Sequence, residues 1–445
     1  MKNKLYFLRL SILFFGLSYL NAKGQSIALD EYIQQALQHN GLIKEQKLLI
    51  EEKQAGLWLA KKQFSPEINF GTSYTLAVGG RNISFPIGDL LNPINNTLNE
   101  LTKSNKFGTF QNQKIQFLPN NFYDARIRIT QPIWRPEIKT NESIHTGQLK
   151  LQELQYNSVA RDLVRDTKKA YYQYIQSGQL ISILNQGIVT LGEGERVTQS
   201  LIKNGVALPT SILRLQSERS KLDQQIFSAI QQRKNAKEYF NYLLGRPAPD
   251  TIMEEQATVL PDPSSFGSEI KDDEIKSIDQ GLAIQQLLID LEKKYHAPRL
   301  GAQLDLGSQN FDFKAGAYAL AGIQLDIPLW NNNKSQLKQK EIAANMQASK
   351  EKKDWVLKSY QLQVDQARRQ VETSNEQYQS LGPLLTMTSR YYNDLLKKYK
   401  EGQATPAELV DASSQITYAQ LQQNIAMYQS WINAAELERL LIQKK

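Results

Sequence analysis

The sequence predicts a mostly α-helical chain that also carries part of a membrane β-barrel. Three observations predict it: very long hydrophobic seams, four short stretches of strict alternation, and a repeat of the whole pattern. The clearest seam lies between Ser335 and Lys445. Apolar positions recur at Tyr360, Val364, Ala367, Val371, Tyr378, Leu381, Leu385, Tyr392, Leu395 and Tyr399, with Ser374 and Thr388 filling the gaps in steps of three and four. A helix presents such a heptad stripe to a partner helix as a left-handed coiled coil. Continuous from Ser335 to Lys400, it would be about 100 Å long at the usual helical rise.

Composition narrows the function classes. The chain has 445 residues and no cysteine, which removes disulfides, thiol catalysis, cysteine-ligated metals and a lipid-modified N-terminal Cys. Its formal charge is +8, but Lys2, Lys4, Arg9 and Lys23 lie in an acid-free N-terminal stretch, without which +4 remains. Basic residues elsewhere are scattered among acids, which argues against a nucleic-acid partner. Residues 1–24 read as a secretory signal peptide: a basic start, an apolar run from Leu10 to Leu20, and Ala22 and Gly24 before Gln25. That run is too short to span a bilayer, and no later segment approaches 18 uninterrupted apolar residues.

In order, residues 25–267 form a first structural repeat. Helical spacing runs from Ile27 to Gln63. Alternation marks a strand at 66–78, with Ile68, Phe70, Thr72, Tyr74, Leu76 and Val78 on one face. Gly79 to Asn121, rich in Asn, Pro and Gly, reads as a long loop. A second strand, 122–134, places Tyr123, Ala125, Ile127 and Ile129 opposite Asp124, Arg126, Arg128 and Thr130. A long helix follows to about Lys203, turns at 203–210, and returns to Leu244. Residues 245–268 are an irregular insert with four prolines. The second repeat, 268–445, has a helix to Ala297, strands at 298–307 and 317–329, and a long hairpin turning at 400–407. At that turn Gly402 supplies a left-handed position and Pro406 suits the first residue of the next helix. The halves match by position: Gly41–Pro66 maps onto Asp273–Pro298 at an offset of 232, and Gly205 and Pro209 onto Gly402 and Pro406 at 197. Equal struts are what side-by-side helices in one tube require.

Each strand has one face fit for lipid and one fit for water. Four strands cannot close a barrel, and an open edge in hydrocarbon leaves backbone groups unpaired at several kcal/mol each. Strands crossing a membrane would therefore need several copies to share one wall. A water-soluble sandwich is the alternative for the strands taken alone.

Six segments carry a family resemblance over essentially the whole mature length: LDEYIQQALQHN at Leu29, FSPEI at Phe64, TQPIW at Thr130, NYLLGRP at Asn241, LDIPLW at Leu325 and KYKEGQATPAELVDA at Lys398. Together they resemble the TolC family of outer-membrane efflux proteins. The resemblance implies a homotrimer with a shared 12-stranded barrel in outer-membrane lipid. Twelve long helices would form a tunnel into the periplasm of a Gram-negative bacterium, with both turns at its inner mouth. It further implies a passive exit duct for efflux or type I secretion. Its partners would be an inner-membrane pump and a periplasmic adaptor (a membrane fusion protein) docking on the turns at Gly205, Pro209, Gly402 and Pro406.

At the mouth, Glu408 and Asp411 match two acids that line the family's constriction, and three copies would place six carboxylates there. Thr405-Pro406-Ala407-Glu408 is also a capping box, which by itself accounts for Glu408. Tyr399 matches a tyrosine of the family's closed-mouth lock. Two other lock positions hold Ala404 and Ser211 instead, leaving Arg214, Glu218 and Lys400 as substitutes. Gly187, Gly192 and Gly194 in one helix and Gly382-Pro383 in the other mark a hinge, or equally a passive kink. Trp134 and Trp330 fit an interfacial belt. His39, His145 and His296 share no ligand spacing, so neither metal nor cofactor is expected. Nor is enzyme activity: the chain has no P-loop, nucleophile elbow, HExxH or paired-acid cleft. A periplasmic adaptor or a soluble coiled-coil tether are the remaining readings; neither uses both the tandem halves and the strands.

Overall fold

A computed structural model describes residues 27–118, 120–247 and 250–443. The signal peptide expected at residues 1–24 lies outside the described residues. Eight α-helices and eight strands follow in order. The first helices are α1 (Ile27–His39) and α2 (Gly41–Lys62), and the first strand is β1 (Glu67–Thr75). An insert holds β2 (Asn82–Phe85), α3 (Ile87–Leu101) and β3 (Gln113–Gln116). Then come β4 (Phe122–Trp134), α4 (Pro136–Lys203) and α5 (Ser211–Leu244). The second half runs β5 (Phe266–Ile270), α6 (Asp273–Lys293), β6 (Arg299–Phe311), β7 (Ala317–Asp326), α7 (Lys334–Lys400), α8 (Pro406–Leu440) and β8 (Leu441–Gln443). Both long helices are unbroken, of 68 and 67 residues.

Two compact units result, and each draws on both sequence halves. One comprises the chain up to Lys53, Gln148–Leu282 and Gln347–Lys445; the other comprises Gln54–Gly147 and Ala283–Met346.

In the first unit the heptad seam is buried toward both ends, while Tyr378, Leu381, Leu385 and Thr388 between them are half-buried. Tyr360, Val364, Ala367 and Val371 pack with Leu437 and Leu440 of α8, and Tyr392, Leu395 and Tyr399 pack with Val197, Leu409 and Ala412. Ser374, a polar filler in the stripe, is buried and accepts a hydrogen bond from Asn433 at 2.9 Å. The largest core joins Tyr32, Tyr171, Tyr172, Ile175 and Phe240, with Tyr32 edge-on to Phe240 at 5.2 Å between ring centres.

The expected single helix from Ile27 to Gln63 is interrupted at Asn40. The Asn40 side-chain oxygen accepts from the Leu42 amide at 2.8 Å, an N-cap for α2, and its amide nitrogen donates to the Leu243 carbonyl at 2.8 Å. Gly245 closes α5 in the left-handed conformation at φ +65°. A Cβ there would lie 2.7 Å from the His39 carbonyl oxygen. The segments LDEYIQQALQHN and NYLLGRP thus dock on each other, and this contact is what breaks the helix. Towards the end of the insert at 245–268 a 3-10 turn, Pro263–Ser265, leads into β5, which pairs with β8.

In the second unit four antiparallel strands form one sheet in the order β1-β4-β6-β7, leaving β1 and β7 as edges. The expected strand at 66–78 stops at Thr75, and that at 317–329 at Asp326. The one at 298–307 instead extends to Phe311. The β6–β7 turn is tight, with Asp312 and Phe313 both left-handed at φ +54° and +55°. Phe313 meets that cost by stacking on Tyr74 at 5.1 Å and Tyr123 at 5.6 Å.

The expected loop 79–121 is structured instead. Asn92, Asn95 and Asn99 of α3 clamp the following segment through its backbone. Asn92 donates to the Phe110 carbonyl and accepts from its amide, Asn95 donates to the Gly108 carbonyl, and Asn99 donates to that of Phe107. Residues that read as loop formers by composition become a side-chain ladder because they recur at helical spacing.

Candidate functional site: the open sheet and the helical turns

The sheet is inverted relative to a soluble protein. On one face Ile68, Phe70, Ile127, Leu306 and Ile323 are exposed, Phe70 at 72% and Ile323 at 75%. On the other, Asp124 and Asp305 are buried. Register explains the segregation: Phe70 pairs with Ile127 and Ile127 with Leu306, while Asn69 pairs with Arg128 and Arg128 with Asp305. Arg128 makes a two-pronged bond to Asp305, at 2.9 and 2.7 Å, and Tyr318 donates to Asp124 at 2.9 Å. This hydrogen-bonded polar face cannot be a hydrophobic core. A sandwich would cover the apolar face with a second sheet, whereas here that face of the four-stranded sheet is exposed. Trp134 closes β4 and Trp330 follows β7, and both are largely exposed.

In the first unit the two helical turns are near copies. The Gly205 and Val206 amides bond back to the carbonyls of Ile202 and Leu201, and the Gly402 and Gln403 amides to those of Tyr399 and Lys398. Both glycines are left-handed, at φ +73° and +75°. This paired closure is a Schellman motif. A Cβ on Gly402 would stand 3.3 Å from Val206, so the turns lie against each other. They differ afterwards. Pro406 is the first residue of α8, whereas Pro209 sits in the turn before α5, whose cap Thr210 makes no side-chain bond.

Above the turns, Tyr399 is 1% exposed and its hydroxyl meets that of Thr198 at 2.5 Å. Thr198 donates to the Gly194 carbonyl at 2.7 Å, so Tyr399 supplies the proton between the hydroxyls. Lys400 bonds Glu193 at 3.0 Å, and Glu193 also takes a two-pronged bond from Arg196. These two cations, Arg196 first, hold the Glu193 carboxyl down to about 2. Arg214 pairs with Asp411 at 3.5 Å, both exposed, and Glu218 accepts from Ser414 at 3.2 Å. Glu408 completes the capping box: its carboxylate accepts from the Thr405 amide at 2.7 Å, which with the Thr405 hydroxyl lowers its pKa. One carboxylate oxygen, Oε2, thereby serves the helix start.

Gly187 and Gly194 are sites of close approach. A Cβ on Gly187 would stand 3.1 Å from Thr417 and 3.2 Å from Leu222; one on Gly194 would stand 2.8 Å from Leu215 and 3.2 Å from Leu409. Gly192 and Gly382 face open space, and Pro383 is exposed within an uninterrupted α7. Sequence reasoning missed Glu193, Arg196 and Thr198. The charge-dense run Gly192-Glu193-Gly194-Glu195-Arg196, about two to three turns before the helix end, was the available signal.

No helix among the described residues is long and apolar enough to cross a membrane, and none of their His, Asp and Glu side chains group to hold a metal ion. No protein-family model matches the chain, and no curated protein matches it by sequence. Solved structures do match. The Campylobacter jejuni CmeC outer membrane channel superposes with a TM-score of 0.76 at 13% identity, over 93% of this chain and 85% of that one. CusC, whose structures concern folding and transmembrane channel formation, gives 0.76 at 13% over 95% and 94%. The outer membrane protein VceC of Vibrio cholerae gives 0.73 at 11% over 92% and 94%. The fold is therefore that of the outer-membrane channels of the TolC type, mostly helical with a small antiparallel sheet.

Proposed function

We propose that this chain is a TolC-family outer-membrane efflux protein, one third of a homotrimeric channel-tunnel. Its two repeats, 25–267 and 268–445, each supply two strands to a shared 12-stranded barrel and one helical hairpin to the tunnel. The observation that carries this reading is the inverted sheet. Its apolar face is exposed, the acids Asp124 and Asp305 are buried by hydrogen-bonded partners on the polar face, and β1 and β7 are left as edges. In hydrocarbon those edges cost several kcal/mol per bare group, which copies of the same chain remove by pairing β1 with β7. The Arg128–Asp305 face then lines water, and Trp134 and Trp330 lie at the lipid boundary.

The duct is passive. The turns at Gly205, Pro209, Gly402 and Pro406 form its periplasmic mouth, where a periplasmic adaptor linked to an inner-membrane pump docks. Exposed Val206 and Leu208 offer that partner an apolar contact. Thr198–Tyr399, Glu193–Lys400 and Arg214–Asp411 hold the mouth closed, with Asp411 setting ion preference. The Gly187 and Gly382-Pro383 levels are where the helices bend on opening. The test is fractionation followed by mass measurement and planar-bilayer recording. A detergent-requiring trimer from the outer membrane that conducts ions supports the proposal; a folded monomer soluble in buffer overturns it.

A further inference from the structure

Within the first unit, a cavity of about 190 Å³ is lined by Leu37, Ala160, Arg161, Val164, Arg165, Lys271, Glu438 and Arg439. Four cationic side chains and a single carboxylate surround it. The acids that neutralise these cations bond them in pairs. Arg161 bonds Asp273 and Glu274 at 3.2 and 3.0 Å, Arg165 bonds Asp166 at 2.8 Å, and Arg439 bonds Asp162. Glu438 turns its carboxylate to Lys168 at 2.6 Å. The Lys271 ammonium donates to a backbone partner, the Glu438 carbonyl, at 2.8 Å. Arg161 Nε is buried with no partner at all. An unmet guanidinium donor and an ammonium thus border one cavity.

We infer that this cavity is a binding site for a small oxyanion, held by Lys271 Nζ and Arg161 Nε. An ammonium has three donors, and a buried guanidinium N–H left bare is costly. An oxyanion answers both through charge-assisted bonds. The space suits it, being about six water volumes at ~30 Å³ each. Burial lowers the Lys271 pKa against the opposing charge of the nearby Glu438 carboxylate. The site lies between α1, α4 and the β5–α8 junction of the first unit and does not depend on the proposed function.

The test is calorimetric titration of the full-length, detergent-solubilised protein with orthophosphate and, separately, acetate, in chloride at matched ionic strength. Saturable uptake of one anion per chain is expected, and the two arms separate a phosphate from a carboxylate ligand. Lys271→Gln should weaken it at least tenfold. Arg161→Lys, which keeps the charge and deletes the Nε donor, should weaken it about threefold to tenfold. Should Lys271→Gln fail to fold, Arg161→Lys decides. Absence of saturable binding by either anion, or affinity unchanged in the variants, overturns the assignment.

Discussion

Replacing Tyr399 with Phe tests the closed mouth most directly. The ring stays, so packing against Val197, Leu395 and Leu409 is kept, and only the donor to Thr198 is lost. Because Thr198 still donates to the Gly194 carbonyl, no buried donor is orphaned. The loss is then one net hydrogen bond, about 1 kcal/mol. If three copies open as one ring, the losses add to about 3 kcal/mol, which at 1.4 kcal/mol per decade raises the open-to-closed ratio about a hundredfold. Single-channel recording of wild type and Tyr399→Phe in planar bilayers reads that ratio. A cycle with Thr198→Val isolates the pair: the double variant should open less than the product of the single effects predicts. Equal open probability in wild type and Tyr399→Phe, or full additivity in the cycle, would refute the reasoning.

Other outcomes follow from the same region and from the fold. Glu193 has a depressed pKa, so its grip on Lys400 is complete above the ordinary carboxylate range and is lost as pH falls from about 4.5 toward 2. Conductance should rise across that window in wild type and rise less in Glu193→Gln, in which this carboxylate no longer titrates. Removing Arg214 frees Asp411, so Arg214→Ala should increase cation preference in reversal-potential measurements and Asp411→Ala should decrease it. Gly194→Ala inserts a methyl 2.8 Å from Leu215 and should cost about 1–3 kcal/mol, read as a lowered melting temperature; Gly382→Ala, which meets open space, should not destabilise. Gly245→Ala combines a left-handed backbone with a contact 2.7 Å from the His39 carbonyl. It should sharply reduce the yield of folded protein in a gel-filtration assay.

Much of this fold is legible in the sequence because its signals are periodic and local. The seam from Tyr360 to Tyr399 repeats at helical spacing and the strands at spacing two, and a glycine must sit where Gly205 and Gly402 turn left-handed. These follow from backbone geometry, which every residue obeys without reference to distant neighbours. The insert at 79–121 was not legible, since an asparagine reads as a turn former until its spacing along α3 meets an extended segment to clamp.

What the sequence by itself determined, then, is the register: which residues face a partner helix, which face of each strand is apolar, and where the chain reverses. Only tertiary structure decided which polar groups meet. Asn40 breaks a helix because Leu243, some two hundred residues on, accepts its amide. Glu193 matters because Lys400 arrives beside it, and Glu408 caps its own helix through one oxygen while Asp411 faces Arg214. Periodicity is summed over many residues and survives substitution at any one of them. A hydrogen bond depends on two atoms brought within about 3 Å by the whole fold, and no local pattern encodes that distance.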